Sequence, residues 1–122
     1  MKLLRLGKIS SIMRNEIIKP RINIPLQKIR RFCLKNHIRK LALFGSVLTS
    51  HFQKKSDVDI LVEFDSEHIP GLIKISELEY ELGEIVGQQV DLRTPKDLSP
   101  YFRDDVITKA YHLYGKERFC PN

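Results

Sequence analysis

Apolar residues fall along this chain in two periods. At Leu72, Ile75, Leu78, Leu82 and Ile85 they recur at intervals of three and four between Pro70 and Gly87, a spacing that predicts an amphipathic helix. Leu26, Ile29, Phe32 and Cys33 repeat the pattern behind Pro25, placed like a first-turn proline, and predict a helix over about 26–36. Elsewhere the apolar residues run together. "LALF" at 41–44, stopped by Gly45, and "DVDILVEF" at 57–64 read as buried strands, the second with three consecutive aliphatics that ask for cover on both faces. "QQVDLRT" predicts a third, shorter strand. Residues 47–53 have room for two helical turns. Thr94 and Ser99, each followed by proline, are candidate caps for a closing helix that runs to about Tyr114 and stops at Gly115. Three strands interleaved with helices make an α/β domain, and their order leaves open whether they pair in parallel.

With 122 residues the chain has material for one core and no elaborate second module. Its 42% hydrophobic and 30% charged residues suit a globular protein, and no run approaches the ~20 apolar residues of a membrane span. Cys33 and Cys120 form no C-x-x-C pair, which argues against a disulfide framework or zinc knuckle and for a reducing cytoplasm. His37, His51, His68 and His112 show no i, i+3 or i, i+4 pairing that would set two metal ligands on one helix face.

The net charge of +6 is unevenly spread. Residues 1–40 hold twelve Lys and Arg against Glu16 alone, a balance of +11, whereas residues 41–122 hold nine against fourteen acids, a balance of −5. A basic front half suits RNA, DNA, an acidic partner or a membrane surface, but its bases are dispersed and lack the interleaved aromatics of a stacking platform, so solvated helix faces are the simpler account. Residues 1–24 read as a basic extension in which Leu3, Leu6, Ile9, Met13 and Ile17 can form one helical stripe; a transit peptide is the less favoured alternative. The globular domain is expected over 25–116, with 117–122 as a tail.

The candidate chemistry lies in "FGSVLTSHFQKKSDVDILVEF". In a strand, alternate side chains share a face, so Asp57 and Asp59 point the same way while Val58 turns into packing. Two carboxylates this close repel, and a hard divalent cation such as magnesium resolves the conflict through oxygen ligands shared with substrate phosphates. Gly45 and Ser46, ten residues ahead of Asp57, close the preceding strand where free backbone N–H groups favour an anion and a glycine permits a phosphate to approach. Asp91, between Val90 and Leu92, supplies a third carboxylate near which an attacking hydroxyl could give up its proton. Taken singly, each feature also fits a plain turn, an acidic strand end or a surface carboxylate. A calcium loop is excluded by Val62 at its sixth position and His68 at its twelfth.

Gly45-Ser46, ten residues, Asp57-x-Asp59 and then Asp91 resemble the signature of the minimal nucleotidyltransferases (MNT) of the polymerase-beta-like superfamily, a likeness that covers about residues 25–115. The resemblance implies a mixed sheet flanked by helices, magnesium bound by Asp57, Asp59 and Asp91 as a two-metal site, and triphosphate contacts from Gly45 and Ser46. It further implies an antitoxin that transfers AMP from ATP to a tyrosine of a HEPN-type ribonuclease toxin, in a hetero-oligomer with it. Many members carry an arginine and a glycine soon after the Gly-Ser pair, where this chain has Leu48, Thr49 and Ser50. Lys54 or Lys55 is a candidate replacement, against a simple solvated turn. The departure also motivates a contact-only antitoxin as the alternative, with a nucleic-acid-binding module below it. Arg31 and His37 match the toxin's own short R-x4-6-H pattern, but on a helix leading into a strand this reads as coincidence.

Overall fold

The structure is a computed structural model that describes residues 20–115 and Phe119, and the helical stripe expected before Pro20 lies outside them. Strands β1 (Ile38–Phe44), β2 (Val58–Phe64), β3 (Val90–Arg93) and β4 (Tyr111–Tyr114) form one sheet in the order β3-β2-β1-β4. β2 and β3 run parallel, while β1 is antiparallel to both β2 and β4, so the sheet is mixed. Helices α1 (Leu26–Lys35), α2 (Leu72–Val86) and α3 (Arg103–Lys109) pack on its faces. None of the described helices is long and apolar enough to cross a membrane.

Both faces of the sheet are covered, as the unbroken aliphatics of β2 require. On one face Val58, Ile60 and Val62 of β2 and Leu41 and Leu43 of β1 meet Ile29, Phe32 and Cys33 of α1 and Leu78, Leu82 and Val86 of α2. The Cys33 thiol is buried among them, and burial pushes its pKa up to about 12, which makes it an inert packing residue. On the other face Ala42 and Leu61 pack with Leu98, Ile107 and Phe119. Gly87 ends α2 in the left-handed region at φ +76°, its N–H bonded to Gly83 O.

Three expectations need correction. The closing helix does not reach Tyr114: it ends at Lys109, Ala110 turns extended at ψ 143°, and residues 111–114 form β4. Strand β1 presents an edge there, and Tyr111 and His112 pair with Leu43 and Ala42; aromatic side chains favour that pleated setting over another helical turn. Residues 47–53 hold no two-turn helix. A single 3-10 turn, Gly45–Leu48, is closed when the N–H and hydroxyl of Thr49 both donate to Ser46 O, at 2.8 and 2.9 Å. Ser99 does not cap α3 directly. Its carbonyl accepts from Phe102 and Arg103 at 3.2 and 3.0 Å in a turn that precedes the helix.

Leu72 is the exception on the α2 stripe. It is 87% exposed, next to Ile73 at 79%. The rings of His37 and His68 stack at 3.7 Å, joining the turn before β1 to the loop before α2 through a contact that no sequence spacing announces.

Leu61 is fully buried on the face that α3 covers, so Leu61→Ala leaves a cavity where neither neighbouring strand can close in. The expected loss is about 2–5 kcal/mol of unfolding free energy, measured by urea denaturation.

Candidate active site

Alternation along β2 and β3 decides where the carboxylates point. Val58, Ile60, Val90 and Leu92 are buried in the core beneath the two long helices, which turns Asp59 and Asp91 to the opposite face. The parallel register sets Asp59 directly beside Asp91, and the antiparallel register sets Asp59 beside Phe44, the last residue of β1. Asp57 lies exposed one step before β2, and the Val58 N–H that follows it donates to Gln89 O at 2.8 Å. The chain thus brings Asp57, Asp59 and Asp91 to one end of the sheet.

Gly45 completes the arrangement. Its φ is +79°, and a Cβ built on it would stand 2.5 Å from Asp59 Oδ2, so a side chain here would collide with the carboxylate. Only glycine lets β1 end against Asp59 while the chain enters the 3-10 turn. Ser46 follows, half-buried, and the turn is fastened from outside by Arg21 N–H donating to Val47 O at 3.0 Å. Gly45, Asp59 and Asp91 thus lie together at one end of the sheet, with Ser46 next after Gly45 and Asp57 one residue before β2.

The electrostatics carry the strain of that meeting. Burial first, and then the neighbouring charges of Asp91 and Asp57, push the Asp59 carboxyl above the ordinary Asp range; Arg93 pulls it back down. Arg93 was not among the residues expected here. Its Nε donates to Asp91 Oδ2 at 3.1 Å, and that bond together with the Asp91 charge makes the guanidinium hold its proton more firmly. The signal in the sequence was a base two residues after Asp91, hence on the same strand face.

The donor set suits magnesium. It is all oxygen, and a divalent cation would offset the burial and then the neighbouring charges of Asp91 and Asp57 that raise Asp59. Among the described residues no group of three His, Cys, Asp or Glu side chains is placed to hold a metal ion by itself. Magnesium ordinarily takes one or two carboxylates together with substrate phosphates.

Residues 26–111 match the family described as the nucleotidyltransferase domain. Over 76 residues, 62% of this chain and 75% of the relative, the sequence is 46% identical to the protein adenylyltransferase MntA of Thermococcus cleftensis. Among solved structures, a toxin-antitoxin crystal structure with AMP-PNP aligns at TM-score 0.62 and 25% identity, covering 77% of this chain and 76% of that one. A second, a tri-AMPylated Shewanella oneidensis HEPN toxin in complex with its MNT antitoxin, aligns at TM-score 0.54 and 26% identity, covering 75% and 70%.

Asp59 has a higher pKa in the folded chain than in the unfolded one, so the folded state is favoured at low pH and loses that advantage as pH rises through the Asp59 pKa. Asp59→Asn is therefore expected to raise the Tm at neutral pH, with the gain vanishing below about 3.9, the ordinary Asp pKa. Thermal melts of both proteins across that range check it.

Proposed function

The chain belongs to the nucleotidyltransferase domain family, among its minimal (MNT) members, and we propose that it transfers AMP from ATP to a tyrosine of a partner HEPN-type toxin, silencing it as its antitoxin. The observation that carries this reading is the side-by-side register of Asp59 and Asp91 against the bare Cα of Gly45. It sets carboxylates beside the Gly45–Leu48 turn at one end of the sheet.

In this reading the backbone N–H groups of the Gly45–Leu48 turn and the Ser46 hydroxyl hold the nucleotide phosphates. Asp57 and Asp59, with Asp91, would hold magnesium; bound there, it would neutralise the phosphates and polarise the phosphorus under attack. The tyrosine oxygen attacks the α-phosphorus, a new P–O bond forms, the bond to pyrophosphate breaks, and Asp91 accepts the hydroxyl proton. Arg93, bonded to Asp91, orients that carboxylate. The use of ATP and a toxin inside the cell makes the cytoplasm the setting.

The acceptor side has its own support. A cavity of about 380 Å³ runs from Asp91 and Arg93 to Ile69, Pro70 and Leu72, apolar at one end and carboxylate at the other. An aromatic ring with a reacting hydroxyl fits that gradient, and the exposed Leu72 and Ile73 beside it offer apolar surface to the protein that presents the ring.

Incubation with labelled ATP, magnesium and the protein encoded beside this chain is expected to label a tyrosine of that partner. The Asp57→Asn/Asp59→Asn variant should lower the rate about a hundred-fold or more. Equal labelling by the variant would sink the assignment. A second reading, neutralisation by contact alone, is favoured by Leu48, Thr49 and Ser50 where relatives of this type carry an arginine and a glycine; growth rescue by the same variant, with no AMP on the partner, would support it.

Leu72→Glu places a charge on the exposed apolar lip and leaves the carboxylates untouched. The expected result is a KM for the protein partner raised about ten-fold, with the KM for ATP unchanged, from initial rates in both substrates.

A further inference from the structure

A nucleotide triphosphate brings several negative charges to an edge already lined by Asp57, Asp59 and Asp91. The turn that would cradle it offers backbone N–H groups but no cation, since Leu48, Thr49 and Ser50 are uncharged. Lys54 does not fill that role: it borders a different cavity, with Arg21, Phe52 and Val86. Arg93 is bonded to Asp91, and Arg103 to the carbonyls of Pro95 and Leu98, both at 2.8 Å.

Helix α3 supplies what the turn lacks. A cavity of about 340 Å³ has Gly45, Leu48 and Thr49 on one wall and Asp105, Val106 and Lys109 on the other, and Lys109 is the one base among the residues that line it. Val106 packs beside Phe44 on the sheet face that carries Asp59, so the end of α3 is fixed over the cradle. Lys109 Nζ rests 3.2 Å from Asp105 Oδ1, across an i, i+4 contact in which both side chains are more than half exposed. Such a pair is weak, and a lysine's four-carbon stem can exchange it for a phosphate.

We infer that Lys109 contacts the β- or γ-phosphate of the nucleotide from α3, in place of a cation on the Gly45–Leu48 turn, with Asp105 holding it in reserve when no nucleotide is bound. This rests on the reading of Gly45 and Ser46 as the phosphate cradle. It makes Lys109 a substrate-binding residue that reads the triphosphate tail and ignores the rest of the nucleotide.

Calorimetric titration of the full chain with AMP-PNP and with AMP, magnesium present in both, tests it. Lys109→Ala is expected to weaken AMP-PNP binding about ten-fold or more, the effect of losing one charge-assisted hydrogen bond, and to leave AMP binding unchanged. Lys109→Arg should retain most of the affinity, and Asp105→Asn should tighten AMP-PNP binding by freeing the lysine. Equal binding of AMP-PNP by the parent and Lys109→Ala overturns the inference, as does equal weakening toward both ligands. Recovery of parental affinity in Asp105→Asn/Lys109→Ala also overturns it, because the loss would then come from the bared Asp105 charge. A parent chain that binds no AMP-PNP overturns the cradle reading and this inference together.

Discussion

Asp59 and Asp91 repel one another, and the fold is arranged so that they cannot separate. They occupy paired positions on parallel neighbouring strands, roughly 4.8 Å apart in the hydrogen-bonding direction. What holds them there is on the other side of the sheet. Val58, Ile60, Val90 and Leu92 alternate with the carboxylates and are buried against α1 and α2, so a slip of either strand by one residue would bury a charge and expose two aliphatics. The core is thus the restraint on the site, and the raised Asp59 pKa reflects first its burial there and then the charges of Asp91 and Asp57.

The same constraint fixes the chain on the β1 side. β1 ends where Phe44 faces Asp59, and the next residue must turn away without touching the carboxylate. A side chain at Gly45 would fall 2.5 Å from Asp59 Oδ2, so the glycine answers to the aspartate fourteen residues later and to nothing nearer in sequence. The ten residues between Ser46 and Asp57 then serve as a return path, but in turns closed by Thr49 and anchored through Val47.

The parts of the fold that could be read from the sequence are those whose signal is local. The stripe of α2, the aliphatic run of β2 and the Gly45 stop each depend on residues within one element, and Asp57 and Asp59 could be put on one face from strand alternation alone, whereas Asp91 joins them through the parallel register of β2 and β3. The features that escaped depend on partners far along the chain. β4 is a strand because β1 has an edge to offer, some seventy residues earlier, and its Tyr-His-Leu-Tyr carries no alternation to distinguish it from the last turn of α3. Leu72 keeps helical spacing with the core residues of α2, yet nothing in that spacing says where the sheet ends beneath it. Arg93 was visible only as a base beside a strand. Its bond to Asp91 becomes meaningful once Asp91 is known to face a second carboxylate.

In the proposed reading that bond also makes so acidic an end of the sheet compatible with an anionic substrate. Arg93 compensates Asp91 from within β3, so the uncompensated charge of the cluster is concentrated at Asp57 and Asp59, the pair that alternation aims the same way. On the opposite wall of the turn Lys109 of α3 offers a cation, paired at rest with Asp105. A magnesium–nucleotide complex has the same polarity, a cation at one side and phosphate oxygens at the other. A uniformly basic pocket would hold the phosphates but repel the metal, and a uniformly acidic one would do the reverse. In the proposed reading the sheet edge and α3 divide the two tasks, and Gly45, the one position between them with no side chain, is where both parts of the complex can come close to the backbone.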